Sequence, residues 1–306
     1  DRKRDGRNRT ASFATLGCKV NQYETQAMRE VLREQGYRIV ELDEIADVYV
    51  INTCTVTGIS DRKSRQMIRR CAALNPDALI VVTGCYAERS PDEIRDMPDV
   101  DLVLSNREKF FIGEYLRGVE GDLNGDTFSH THITTFDEQT RALVKIEDGC
   151  DSFCAYCIVP YLRSRPASRP LSEIEREARA LAGSGHKELV VCGTNLGLYG
   201  RDDPELPSLS GLVELLLELD LFPRIRLSGI EVNEIDDTLA RLVSENNALC
   251  PHLHVPLQSG SDKVLSDMGR RYTAAEYLDT VRKLRSLDAQ IAITTDIIVG
   301  FPTESG

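Results

Sequence analysis

At 306 residues the chain has room for two domains, and 41% hydrophobic with 28% charged residues is ordinary for a globular protein. No apolar run approaches the roughly 20 residues of a membrane span. The start, DRKRDGRNRT, is polar and basic and does not read as a secretory signal, so a disordered basic tail is expected over 1–11. A net charge of −12 fits poorly with a nucleic-acid partner, because phosphate binding calls for a basic surface. There is no initiator Met and the sequence stops at DIIVGFPTESG, just after an apolar run, so a fragment of a longer protein is expected.

Along the chain, RTASFATLGC reads as a strand and NQYETQAMREVLREQGY as a helix, with Ala27, Val31 and Leu32 among its apolar positions and Gly36 as its stop. YRIVEL and ADVYVINTC are further strands, followed by a helix over SDRKSRQMIRRCAALNP that opens on a Ser/Asp cap. ALIVVTGC is a strand, SPDEIRDM a short helix with Pro91 at its start, and VDLVLSN another strand. Val/Ile-rich strands alternating with helices indicate a parallel sheet wrapped by helices. A domain over 12–115 follows, of Rossmann or flavodoxin-like type. Gly118, Gly121, Gly125 and three Thr at 131–135 mark a linker over 116–139.

A second series begins with ALVKIEDGC. It continues through the helix LSEIEREARALAGSG, the strand HKELVVCGT, the helix LSGLVELLLELDL and the strand PRIRLSGIE. A helix near DDTLARLVSENNA, the strand HLHVPLQS, the helix TAAEYLDTVRKLRSL and the strand AQIAITTDIIVG complete it. Five βα-type units, the last unfinished, describe an incomplete barrel over 140–306. In such α/β folds chemistry sits at the C-terminal ends of the strands.

Nine scattered cysteines without an export signal point to metal or catalytic thiols and away from a disulfide scaffold. Cys150, Cys154 and Cys157 form C-x3-C-x2-C, with Cys150 at the end of the first strand of the second series and the other two in the loop after it. No other Cys or His lies in that loop. Zinc usually takes paired C-x2-C knuckles or a His as fourth ligand. Three closely spaced thiolates without a fourth favour a [4Fe–4S] cluster with one open iron, and zinc or unligated structural thiols are the alternatives. In the first domain Cys18, Cys54 and Cys85 each fall at the C-terminal end of a predicted parallel strand, in GCKVNQYE, INTCTVT and TGCYAE. Strand ends of one sheet share an edge, so the three can converge on a second open-iron cluster. The plain alternative is that small apolar Cys fills the sheet core.

The C-x3-C-x2-C spacing with Tyr156 before its last Cys is similar to the signature of radical S-adenosylmethionine (SAM) enzymes. Together with the three first-domain cysteine motifs, HLHVPLQSGSDKVL, MGRRYT and DIIVGFP, it resembles the methylthiotransferase family from about Ser12 onward. The resemblance implies a partial (β/α)6 radical-SAM barrel behind the N-terminal domain, truncated here before its last unit. It implies two [4Fe–4S] clusters, one carrying or delivering sulfur and one cleaving S-adenosylmethionine to a 5′-deoxyadenosyl radical. GCKVNQYE resembles the branch acting on N6-threonylcarbamoyladenosine in tRNA, next to the anticodon. The branches acting on isopentenyladenosine and on a ribosomal protein are the alternative substrates, and a zinc-stabilised RNA-binding module without catalysis is the alternative of another class.

By position in that family, Tyr156, Gly193, Thr194, Asn195, Glu231, Gln258, Ser259 and Val299 are expected around S-adenosylmethionine, with Ile298 and Gly300 beside adenine. His252 and His254 are expected to be satisfied core or rim residues, and Cys71, Cys192 and Cys250 structural thiols. Arg163, Arg165, Arg169, Arg270 and Arg271 follow strand ends and are expected to meet RNA phosphates. Arg62, Lys63, Arg65, Arg69 and Arg70 are expected to form a solvated helix face. Family members usually continue into a small RNA-binding β-barrel, for which nothing corresponds in this sequence. A flavodoxin or ferredoxin as electron donor, a separate sulfur donor and a cytoplasmic location complete the expectation. One departure is Leu162 and Ser164 where the family tends to carry a small residue and Gly, which puts the geometry of that loop in question.

Overall fold

A computed structural model describes residues 9–118, 131–137, 139–163 and 165–304. The chain divides into two compact units, Asp1–Ile133 and Thr134–Gly306.

The first unit is built on a five-stranded, all-parallel sheet in the order β2-β1-β3-β4-β5: β1 Thr10–Thr15, β2 Arg38–Val40, β3 Val48–Thr53, β4 Leu79–Gly84 and β5 Leu102–Val103. That is the flavodoxin-like order, with its topological switch between β1 and β3. Successive side chains of a strand face opposite sides. In β3, Val48 and Val50 pack with Met28 and Leu32 of α1 (Lys19–Glu34), while Tyr49 and Ile51 pack with Ile68 of α2 (Gly58–Leu74). Both faces are thereby covered, which is why β3 is buried throughout. Two short helices, α3 (Cys85–Arg89) and α4 (Pro91–Arg95), follow β4, and α5 (Ile112–Leu116) precedes the undescribed stretch.

Several expectations shift. β1 opens at Thr10, inside the expected tail, because Thr10 N and Oγ1 both donate to Asp47 Oδ2 and Arg38 N donates to the Arg9 carbonyl. α2 is capped by Thr57, whose hydroxyl accepts from Ser60 N, and not by the Ser/Asp pair after it. VDLVLSN yields only a two-residue strand, since β5 pairs with β4 alone. Much of the expected linker, 119–130 and 138, lies outside the described residues, as do 1–8 of the expected tail.

In the second unit β6 (Arg141–Lys145), β9 (Glu188–Cys192) and β10 (Arg224–Leu227) form a parallel sheet in chain order outward from β6. β11 (His252–His254) pairs in parallel with β12 (Ala292–Thr294), and bridges Ile225–Leu249 and Gly229–His254 join β10 to β11. Five parallel strands therefore run consecutively, as a partial barrel requires. Between them lie α7 (Leu171–Gly183), α8 (Leu209–Glu218), α9 (Asp237–Glu245), a short α10 (Asp262–Asp267) and α11 (Ala274–Leu287). Cys150 is not at the end of β6, as the sequence suggested. After Lys145 the chain turns into β7 (Glu147–Asp148), which pairs antiparallel with β8 (Ala167–Ser168), with α6 (Val159–Leu162) between them. Leu162 closes α6, and Ser164 lies outside the described residues.

Candidate active site

In the first unit the turns carrying Cys18, Cys54 and Cys85 leave the same sheet edge, from the adjacent strands β1, β3 and β4. Two glycines allow these turns. Gly17 has φ +104°, and a Cβ there would stand 2.9 Å from Cys54 Cβ. Gly84 has φ +91°, and a Cβ there would stand 2.5 Å from the Thr53 carbonyl oxygen. Any side chain would clash as well as strain the backbone. Hydrogen bonds then bracket the three turns. Asn21 Nδ2 donates to the carbonyls of Leu16 (2.8 Å) and Thr53 (3.0 Å), and Asn52 Nδ2 donates to the Asn21 carbonyl (3.0 Å). Thr53 Oγ1 donates to the Thr83 carbonyl, and Ser64 Oγ to the Cys54 carbonyl. Asn21, Asn52 and Thr53 were missed as site residues, although each sits inside a cysteine motif. A polar residue at a strand end that has to be buried was the available signal. Cys54 and Cys85 are buried, whereas Cys18 is exposed.

In the second unit Cys150, Cys154 and Cys157 are unbridged thiols on one loop. Phe153, between the first two, has φ +46°, a strained conformation for a side chain that is not glycine. Asp148, just before the loop, is its anchor. Its carboxylate accepts from Lys145 Nζ (2.8 Å), Arg163 Nη1 (2.8 Å), Thr194 Oγ1 (3.0 Å) and Gly149 N (2.9 Å). The far side of the loop is pinned by Ala155 N donating to the Met268 carbonyl. From that same segment Arg270 Nη1 reaches Glu231 Oε1 at 2.8 Å and both Cys154 Sγ and Tyr156 Oη at 3.5 Å. Ser152 N donates to Cys150 Sγ.

Burial pushes the Cys150 and Cys157 thiols up, and Cys154 adds to this in both, so the three sulfurs are electrostatic neighbours. Among the described residues no three His, Cys, Asp or Glu side chains are gathered as a metal site. The donor set nevertheless fits an iron–sulfur cluster: three thiols on one loop, with one backbone N–H aimed at Cys150 and one guanidinium aimed at Cys154.

The other expected residues divide. Thr194 and Asn195 lie at the end of β9, beside the loop. Asn195 N donates to Glu147 Oε1, and its Oδ1 accepts from Gly197 N. Gly193 passes directly against the Glu147 carboxylate. Glu231 caps a 3-10 turn with Glu234 and holds Arg270. Gln258 has φ +66° and bridges to Ile297, and Ser259 Oγ accepts from Ser261 N. Val299 is 81% exposed. His252 and His254 share Thr294 Oγ1, and His254 also meets Asp296, which makes them rim residues. Cys71, Cys192 and Cys250 are buried, and burial raises the Cys71 thiol to about 11, as expected of an inert structural thiol.

Three arginines expected at RNA phosphates are instead committed internally. Arg163 is buried against Asp148, and Arg270 is buried against Glu231 and the cysteine loop. Arg169 is fully buried, with two nitrogens each 2.9 Å from a Glu177 oxygen. Charged groups held this way are not offered to a phosphate. Glu177→Ala is expected to cost about 3–5 kcal/mol in urea unfolding, because it strands a buried guanidinium. Arg165 and Arg271 are exposed.

Glu147, which sequence reading passed over, is buried, and its Oε2 has no hydrogen-bond partner among the described residues. Burial, with Asp148 adding to it, pushes its carboxyl well above the usual range. The folded state therefore keeps this proton after the unfolded chain has lost it near pH 4.3. This contribution to stability is full below that pH and is lost as pH rises through the folded value. Glu147→Gln is expected to remove that part of the decline, seen as a flatter urea midpoint from pH 5 to 8 relative to the wild type.

The second unit is thus a partial parallel barrel with three thiols on a loop beyond its first strand. Residues 144–306, which hold that loop, match the Radical SAM superfamily, and residues 10–105, which hold the other three cysteines, match "Uncharacterized protein family UPF0004". The chain is 41% identical to the Threonylcarbamoyladenosine tRNA methylthiotransferase MtaB of Bacillus subtilis (strain 168), over 97% of this chain and 68% of that protein. It is 34% identical to the tRNA-2-methylthio-N(6)-dimethylallyladenosine synthase of Cereibacter sphaeroides (strain ATCC 17025 / ATH 2.4.3), over 97% of this chain and 70% of that one. The chain belongs to the methylthiotransferase family of radical-SAM enzymes. Among solved structures, the radical S-adenosylmethionine methyltransferase TsrM from Kitasatospora setae shares the fold with a TM-score of 0.64. That match covers 94% of this chain and 67% of TsrM at 13% identity.

Proposed function

We propose that the chain acts on tRNA, placing a methylthio group at C2 of N6-threonylcarbamoyladenosine next to the anticodon. The observation that carries this reading is two sets of three cysteines, one on the turns that leave β1, β3 and β4 and one on the loop after β7, in a chain 41% identical to a protein of that name. Four threonylcarbamoyladenosine relatives stand at 39–41% identity, which supports that substrate, while a fifth stands at 34%, level with the dimethylallyladenosine relative.

In this reading Cys150, Cys154 and Cys157 hold one [4Fe–4S] cluster and Cys18, Cys54 and Cys85 the other. Bound there, the clusters supply the electron that splits the sulfonium of S-adenosylmethionine and a site for the sulfur. The chain's own residues set the stage. Asp148 fixes the near end of the cysteine loop against β9, so the loop and the Gly193–Asn195 turn keep one geometry. Arg270 keeps a positive charge beside Cys154 Sγ, which lowers the cost of gathering thiolates there. Glu231 holds that guanidinium in place. In this reading Gly193, Thr194, Asn195, Gln258, Ser259 and Val299 are the residues assigned to S-adenosylmethionine, and the exposed Arg165 and Arg271 are assigned to RNA. A flavodoxin or ferredoxin supplies electrons, a separate donor supplies sulfur, and the location is cytoplasmic. Among the described residues no helix is long and apolar enough to cross a membrane.

The test is a competition. Reconstituted protein is given equal amounts of tRNA carrying threonylcarbamoyladenosine and tRNA carrying isopentenyladenosine. Methylthio product on the first alone is expected, and product on the second alone would reassign the substrate.

A further inference from the structure

The cations expected to meet RNA are largely buried in ion pairs, whereas four of the five expected to form a solvated face are not. Arg62, Lys63, Arg69 and Arg70 of α2 are all exposed, and none of the four makes an ion pair or side-chain hydrogen bond among the described residues. Their neighbours differ. Arg65 is held by Tyr86 Oη (2.6 Å) and Glu93, and Arg89 by Asp61 (2.9 Å). Asp61 is the only carboxylate on α2, and it is buried and turned to Thr55 and Arg89. The outward face of this 17-residue helix is therefore free of negative charge in a chain whose net charge is −12.

The orientation of that face is fixed. Asp61, Ser64, Ile68 and Cys71 form the buried stripe, and Ser64 Oγ bonds the carbonyl of Cys54, so the helix is tied to the cysteine-bearing sheet edge. Arg62 and Arg69, like Lys63 and Arg70, are seven residues apart, about 10.5 Å along the axis, which sets two charge pairs on one side two turns apart. A polyanion with regularly spaced charges suits such a stripe, whereas a single small anion would meet only one pair.

We propose that the exposed α2 face carrying Arg62, Lys63, Arg69 and Arg70 is a phosphate-backbone contact surface for the RNA substrate, next to the sheet edge that bears Cys54. The proposal rests on the reading of tRNA as substrate and assigns the surface that grips it.

Binding of unmodified-at-C2 tRNA to the full chain is measured against salt, for wild type and for R62Q/K63Q/R69Q/R70Q. The control R179Q/R282Q neutralises exposed cations on α7 and α11 that already have carboxylate partners. Each lost phosphate contact flattens the slope of log K against log salt by about 0.7–0.9, so the fourfold variant is expected to lose about 3. All four side chains are exposed, so its unfolding midpoint should match wild type, and the control should keep the wild-type slope. An unchanged slope in the fourfold variant, or an equal loss in the control, would overturn the proposal while leaving the tRNA reading intact. No binding by the wild type would overturn both.

Discussion

Cys154→Ala is expected to leave a folded chain that no longer splits S-adenosylmethionine. The side chain is small and 8% exposed, and the loop keeps its Asp148 anchor and the Ala155–Met268 bond. What goes is one of three thiolates, with the sulfur to which Arg270 points. Two thiolates cannot hold a four-iron cluster that already lacks a fourth protein ligand. Iron and sulfide after anaerobic reconstitution should fall from about eight to about four of each per chain. Formation of 5′-deoxyadenosine should fall by about 10⁴-fold or more, the scale for removing an essential catalytic group. Zinc without sulfide in the wild type would contradict the cluster assignment and favour a non-catalytic RNA-binding module.

Cys85→Ala separates the two thiol sets. Cys85 begins α3 directly after Gly84, and alanine is the best helix former, so the fold should survive. Iron should again drop to about four per chain, but 5′-deoxyadenosine should still form at a rate within a few-fold of wild type. The methylthio product should disappear. Loss of both activities together would mean that the two sets do not divide the labour of sulfur delivery and radical generation.

Much of this was legible because parallel strands buried on both faces read as unbroken Val/Ile runs, as in ADVYVINTC and ALIVVTGC. The C-x3-C-x2-C spacing was legible because it is local, and Cys18, Cys54 and Cys85 were legible because each closely follows a strand. Strand order was not, because nothing within β1 or β2 says which edge the first helix carries the chain to. The arginines were misread because their partners are distant in sequence. Arg163 finds Asp148 fifteen residues back, and Arg270 finds Glu231 thirty-nine back. A basic residue near a strand end looks the same in sequence whether it faces solvent or a buried carboxylate. The short elements α3 and α10 and the turn into β7 were invisible to periodicity, being less than two turns or only two residues long.

The most direct measurement of the central claim is nucleoside mass spectrometry of tRNA from cells lacking this protein. The account predicts that 2-methylthio-N6-threonylcarbamoyladenosine disappears and its unthiolated parent accumulates, with methylthio-isopentenyladenosine unchanged. Unaltered 2-methylthio-N6-threonylcarbamoyladenosine, or loss confined to the isopentenyl nucleoside, would contradict it.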